Sequence, residues 1–260
     1  MYKLFFVLAG LLLLCNSCIH NKIRYIRADN EPIGQISNYP NYPTDYQIKK
    51  KDILYIRVIS GNEEVNKLFN IANNNVGNMS GMQGGNIFYL NGYSVNDSGS
   101  IVLPVIGDVN VEGKNIREIR DLVTTKVKER INNVDVMVSL VSFYLTFLGE
   151  FNSQGKISVM QDHINILEAI ALAGGISDYG NKKRVLVLRQ TNEGSTTFRI
   201  DLTKRDLLTS GDFYLKPDDI LIAEPMKNKS FQLGVRDYSL VLTTVTSTIT
   251  MVLLVINLLK

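Results

Sequence analysis

Tryptophan is missing from this chain of 260 residues, histidine occurs twice, and cysteine occurs only at Cys15 and Cys18. Each scarcity excludes something. From Ile19 onward no disulfide and no thiolate metal ligand can form, so the fold rests on its own core or on assembly with other subunits. A Ser-His-acid triad needs a positioned histidine and a nucleophile, and neither His20 nor His163 has such a motif around it. His163 reads instead as a helix-start residue. Without tryptophan a tight sugar-stacking site is disfavoured, because such sites use aromatic faces. No Walker or dinucleotide glycine pattern occurs. The carboxylate pairs Glu63-Glu64 and Asp218-Asp219 would need a defined separation across a cleft to act on a glycosidic bond. The expectation is therefore a protein that is not an enzyme, with no catalytic residues, no cofactor and no metal. The formal charge is only +3, from 28 basic and 25 acidic residues, and does not suggest a nucleic-acid partner, which usually needs a concentrated basic face. The runs Lys49-Lys50-Lys51 and Lys182-Lys183-Arg184 read as solvated turns.

What is present begins with an address. Lys3 precedes an apolar run, Leu4 to Leu14, too short to be a comfortable membrane span. The run ends in "LLLLCNSC". A lipoprotein signal needs a small residue before the cysteine that carries diacylglycerol. Ser17 before Cys18 satisfies this, and Leu14 before Cys15 does not. Residues 1–17 are read as a lipoprotein signal peptide and Cys18 as the lipidation site; the alternative is an ordinary signal peptide or an uncleaved anchor. Ile19 follows the cysteine, where an aspartate would favour retention in the inner membrane. Residues 18–43 are read as a lipidated tether. Its basic start suits anionic head groups or plain solvent. Pro32, Pro40 and Pro43 mark Asn30 to Thr44 as extended linker.

Two α+β units follow, at 44–141 and 142–226. The first opens with a β-branched run, Ile53 to Ile59, which predicts a buried strand. Asn73 to Asn86 is rich in Gly and Asn and reads as a loop. Asn96-Asp97-Ser98-Gly99 predicts a hairpin, and Pro104 and Gly107 break the next strand. Asn115 with Glu118 predicts a capped helix whose positions Ile116, Ile119, Val123, Val127 and Ile131 share one face. Val134 to Leu140 closes the unit as a strand. The second unit reads as strand, turns at Gly149 and Gly155, strand, then a helix with a buried stripe of Ile164, Leu167, Ile170 and Ala171, stopped by Gly174-Gly175. Strands "RVLVLRQ" and "TTFRIDL" flank the loop "TNEGS", and "FYLKPDDILIAEP" brings the last strand. The units echo one another. "IKKKDILYI" parallels "LKPDDILIA", and "IGDVNVEGKN" parallels "LGEFNSQGKI", which suggests two related modules in tandem.

Residues 227–260 are read as a linker and a membrane-spanning helix. Tyr238 to Leu259 carries no charge and, as a helix, spans roughly 33 Å. Arg236, Ser239, Thr243, Thr246, Thr250, Leu253, Asn257 and Lys260 step alternately by three and four, a heptad seam that is mostly polar. Val241, Leu242, Val245, Ile249, Val252 and Ile256 lie opposite. The seam reads as a pore or helix-helix face, or else as threonines tolerated in a simple anchor.

The lipidated start, "YSVNDSGSIVLPVIGDV" with Tyr93, Val95, Gly99, Ile101, Pro104 and Gly107, and "FLGEFNSQGKISVMQDHINILEAIALAGGI" with Gly149, Gly155, Ala173, Gly174 and Gly175, together resemble the polysaccharide export lipoproteins, the Wza-like family. The resemblance implies a polysaccharide export domain and a β-grasp-like SLBB domain as two small periplasmic modules. It also implies a homo-oligomeric ring whose C-terminal helices cross the outer membrane as a barrel, and docking onto an inner-membrane polysaccharide co-polymerase. The transported substrate would be a capsular or exopolysaccharide chain, and the protein would be lipid-anchored in the outer membrane with its body in the periplasm. A different class of function, a monomeric periplasmic lipoprotein that binds a glycan or the cell wall, accounts for the modules but leaves the tail unused. The family's Pro-Gly-Asp turn stands here as Lys50-Lys51-Asp52 and Pro217-Asp218-Asp219. The glycine is missing twice, at about 1 kcal/mol each if the turn is left-handed.

Overall fold

The computed structural model describes residues 25, 26, 34, 36–70, 91–191, 193–226 and 229–258. The proposed signal peptide, Cys18, the loop Asn73 to Asn86 and Lys260 lie outside the described residues.

The first domain is built on β1 (Ile53–Ser60), which pairs antiparallel with β2 (Tyr93–Ser94) on one side and with β5 (Val134–Leu140) on the other. Leu54 faces Leu140 and Ser60 faces Val134 in register. The run expected as a buried strand is buried on one face only. Leu54, Ile56 and Val58 are buried while Arg57 and Ile59 are exposed, because a helix covers only one side of this sheet. Helix α1 (Glu63–Phe69) follows β1, capped by Asn62, whose side chain accepts from the Glu64 N–H. Helix α2 (Ile116–Lys128) carries the expected Asn115/Glu118 capping box, both bonds at 2.9 Å. Its buried residues Ile119, Val123 and Val127 belong to the same core as the inner positions of β1 and β5. Each such fully buried aliphatic side chain stabilises the fold by roughly 1.5–3 kcal/mol.

The Asn96 turn is present: its side chain accepts from the N–H groups of Ser98 and Ser100, and Gly99 sits at φ +76°. It does not join two paired strands. β2 stays with β1, whereas β3 (Ser100–Leu103) pairs with β4 (Gly107–Asn110), so the turn is a corner between sheets and the hairpin lies one strand later. Sequence alternation marks strands but does not say which neighbour each one takes.

The second domain holds a five-stranded sheet in the order β10-β9-β12-β6-β7. Its members are β6 (Tyr144–Gly149), β7 (Gly155–Ser158), β9 (Gly180–Thr191), β10 (Gly194–Ile200) and β12 (Ile220–Pro225). All neighbours are antiparallel except β12 and β6, which run parallel. β8 (Ile164–Asn165) and β11 (Tyr214–Leu215) form a separate two-stranded ribbon. Helix α3 (Ile166–Leu172) is capped by Asn165 and Glu168 in a second capping box. Its buried stripe is Ile166, Ala169 and Ile170, continued by Ala173; Ala171 is exposed, and Ile164 is buried from within β8. The stripe is therefore shifted from the one expected, because the helix starts two residues later and its phase shifts with it. The mixed helix and strand content in two domains is an α+β arrangement. Helix α4 (Lys229–Leu258) follows the second domain.

Candidate membrane helix and the joint between the domains

Thirty residues of continuous helix end the described chain. Its last 18, Val241–Leu258, have a mean hydropathy of 2.0, and none of that stretch is buried by the rest of the chain. At 1.5 Å per residue they extend about 27 Å, close to a hydrocarbon core of about 30 Å. Thr243, Thr246, Thr250 and Asn257 are exposed on this helix; Arg236 and Ser239 lie in its first half, where only the backbone is described. Helical geometry aligns these six positions along one stripe. The hydroxyls bond to their own helix. Thr246 donates to the Leu242 and Thr243 carbonyls, and Thr250 to Thr246. Thr244 and Thr248, off the stripe, do the same to Val241, Thr244 and Val245. Hydroxyls thus occur on more than one face, and crowd between Thr243 and Thr250, while Leu253 interrupts the stripe below them. Back-bonding satisfies a hydroxyl within a single helix, so these threonines are compatible with lipid as well as with a neighbour.

The supposed tether is no free linker over its described part. The Ile26 N–H donates to the Leu202 carbonyl at 3.0 Å, and the Lys182 ammonium sits 4.5 Å from the Tyr25 ring centre. The Tyr39 hydroxyl accepts from Arg205 at 3.0 Å, and the Asn41 amide donates to the carbonyls of Leu208 and Ser210. Asp45 pairs with His163 at 3.6 Å. Residues 36–49 thus form a strap whose Tyr39, Asn41 and Asp45 lie against the second domain before the chain enters the first, and Tyr25 and Ile26 meet the same domain. Residues 36–49 hold neither helix nor strand, and nothing local in "NYPNYPTDY" names their partners, which lie some 160 residues away.

Where the strap ends, the joint holds a buried carboxylate. The Asp52 carboxylate accepts from the Lys49 N–H at 2.8 Å and lies 3.4 Å from the Ser142 hydroxyl, with the Tyr46 side chain as a further partner. Burial is the main cause that pushes its pKa above the ordinary aspartate value; the bonds to Lys49, Tyr46 and Ser142 oppose the rise and Asp218 adds to it. Burial likewise raises the Tyr46 hydroxyl, with Asp52 and Asp218 adding to the shift.

The carboxylate pairs lie apart from this joint or at its edge in the chain's turns and helix starts. Glu63 and Glu64 lie in the first turn of α1, and Asp218-Asp219 in the turn before β12. Among the described residues no group of three or more His, Cys, Asp or Glu side chains could hold a metal ion.

Residues 40–141 match the family described as polysaccharide biosynthesis/export protein, and residues 145–223 match the SLBB domain. Together the two matched domains support a Wza-like polysaccharide export family. Among its relatives is the EPS I polysaccharide export outer membrane protein EpsA of Ralstonia solanacearum, 28% identical over 102 residues. That stretch is 38% of this chain and 27% of EpsA, so the chain matches about a quarter of the relative's length. The matched families are polysaccharide export and binding families rather than enzyme families. In this export-family chain the two turns that lack glycine are indeed left-handed: Lys51 has φ +72° and Asp218 has φ +63°. In each, the aspartate N–H bonds back three residues at 3.2 Å, to Lys49 or to Lys216, the pattern of a type II turn.

Proposed function

We propose that this chain is one subunit of an outer-membrane channel that exports capsular or exopolysaccharide. The observation that carries the reading is the unburied apolar stretch Val241–Leu258, joined to an export domain and an SLBB domain. A lone helix encloses no pore, so several copies must assemble, each giving one helix to a barrel. The outer face of the first sheet, with Met137 and the neighbouring Met160 half or more exposed, adds apolar surface for a neighbouring subunit. No step of bond making or breaking is assigned to the chain; it is a conduit and not an enzyme.

Lipid on Cys18 would give a second hold on the membrane. Cys18 lies eight residues before Ile26, at most about 29 Å of extended chain. Ile26 is bonded to the SLBB domain, and α4 leaves the same domain. Both attachments would then keep the SLBB domain near the outer membrane and turn the export domain toward an inner-membrane co-polymerase. Cys18→Ser blocks acylation in this reading, and Cys15→Ser is nearly silent; labelled fatty acid retained on Cys18→Ser would assign the anchor elsewhere.

The seam of Arg236, Ser239, Thr243, Thr246, Thr250 and Asn257 faces the barrel interior. Aspartate at Thr246 or Thr250 is then tolerated, whereas aspartate at Val245 or Ile249 impairs insertion by about 2.5–3.5 kcal/mol. The deciding experiment deletes Tyr238 to Lys260 and measures surface polysaccharide together with particle images of the detergent-extracted full chain. Loss of export and ring-shaped particles are expected. Normal export, or a strict monomer, overturns the channel and favours a periplasmic glycan-binding lipoprotein.

A further inference from the structure

An open groove of about 400 Å³ lies where the strap crosses between the two domains. That is within the roughly 300–1,000 Å³ of small-molecule sites. One wall is the strap itself, with Tyr42, Asp45, Tyr46 and Lys49. The other is the entry to β8, with Asp162 and His163, and the β11 turn, with Tyr214 and Lys216. Phe143, only 2% exposed, contributes to the floor.

The lining narrows the ligand class. Two ammonium groups, Lys49 and Lys216, stand against two carboxylates, Asp45 and Asp162, so neither a phosphate nor a cation finds a field of one sign. The tyrosines offer flat faces with a polar tip, suited to pack on the C–H face of a sugar ring. Tyr42 is 86% exposed, so its ring faces are not used by the fold. Carboxylates, amide and ammonium groups around them, Gln47 included, bond hydroxyls as acceptors and donors. The groove is also built before any ligand arrives. The Asn41 amide spans the carbonyls of Leu208 and Ser210 at 2.9 and 3.2 Å, and Asp45 holds His163. Binding therefore costs little ordering of the walls.

We propose that this groove binds a short neutral, hydroxyl-rich stretch of saccharide. The assignment rests on the export reading, and gives it a contact point on the body of each subunit. Affinity is weak, in about the millimolar range, because the site is open and its stacking faces are tyrosines rather than tryptophans. A polymer in transit has to leave each site it meets.

The test uses the purified full chain in detergent. Calorimetric or NMR titration is run with a ladder of neutral dextran oligosaccharides, and in parallel with acidic oligogalacturonate and with inorganic phosphate. The neutral ladder saturates the protein. Tyr42→Ala weakens it by about three- to tenfold, while Tyr42→Phe, which keeps the ring, stays within about twofold. The exposure of Tyr42 makes loss of folding no explanation, and an unchanged unfolding midpoint confirms this. No saturation by the neutral ladder overturns the proposal, and so do equal affinities for Tyr42→Ala and wild type, or preference for galacturonate or phosphate. Failure to bind in a protein that still forms rings and exports leaves the channel standing. Binding by a protein whose tail deletion exports normally leaves the groove and removes the channel.

Discussion

The turn before β1 and the turn before β12 have the same backbone but different surroundings. Each places a residue other than glycine at positive φ, Lys51 or Asp218, and each ends in a buried aspartate. Each aspartate accepts the N–H three residues back at 2.8 Å, Asp52 from Lys49 and Asp219 from Lys216. The burial register matches as well: Ile48 with Leu215, Leu54 with Leu221, Ile56 with Ala223. The charges are met differently. Asp219, wholly buried, receives a two-pronged guanidinium from Arg189, Nε to Oδ1 at 2.9 Å and Nη2 to Oδ2 at 2.8 Å. Burial alone would lower the Arg189 pKa, but its bonds and charge contact with Asp219, and then Asp212, raise it. Asp52, at the joint, is held by a backbone N–H and two hydroxyl side chains. A charge sealed within a domain is matched by a charge; one at a joint between domains is left to neutral donors, and its proton is easier to keep.

Breaking the pair inside the SLBB domain has the largest expected effect. Arg189→Met leaves Asp219 buried and unpaired, and lowers stability by about 3–5 kcal/mol in urea unfolding; adding Asp219→Asn recovers much of the loss. If the single substitution costs no more than a surface change, the pair is not what holds this turn.

The second effect depends on pH. Asp52 has a folded pKa above its unfolded value, so the folded state binds the proton more tightly. Its stabilising contribution is full below the unfolded aspartate range near pH 4 and is lost as pH rises through the folded pKa. Asp52→Asn flattens that descent in urea midpoints measured across pH. An unchanged profile would mean that the joint does not shield Asp52 as its burial implies.

Relief of the left-handed residues comes next. Lys51→Gly and Asp218→Gly should each stabilise the fold by about 1 kcal/mol, since glycine adopts positive φ without the side-chain penalty. A gain at one site and not the other breaks the equivalence of the turns. The smallest effect belongs to the exposed pair Lys156–Asp218, 3.9 Å apart with both side chains more than half exposed. Lys156→Gln should shift the unfolding midpoint by less than about 0.5 kcal/mol of stability.

Much of this was legible in the residues. The parallel between "IKKKDILYI" and "LKPDDILIA" corresponds to a shared turn, a shared bond and a shared burial register. The parallel between "IGDVNVEGKN" and "LGEFNSQGKI" does not go as deep. Gly107 opens strand β4 whereas Gly149 ends β6, and the neighbours of β1 are antiparallel where β12 has a parallel partner in β6. A signal for the buried ion pair was also present. Arg189 lies on the same strand face as the buried Val185 and Val187, where a cation demands an acidic partner. No comparable signal announced the joint. Tyr39, Asn41 and Asp45 look like ordinary linker residues until the fold sets them against Arg205, Leu208 and His163.

The caps, the turns, the strand and helix periods and the apolar tail follow from local sequence, because each depends on residues within a few positions of one another. Asn115 and Asn165 cap their helices whatever lies beyond them, and Val241–Leu258 is apolar in any context. Which strands are neighbours, that the strap lies on the second domain, and which groove that contact creates come from the packed fold. Those outcomes depend on pairings between residues far apart in the chain, where many alternatives bury similar area and only the packed whole selects one.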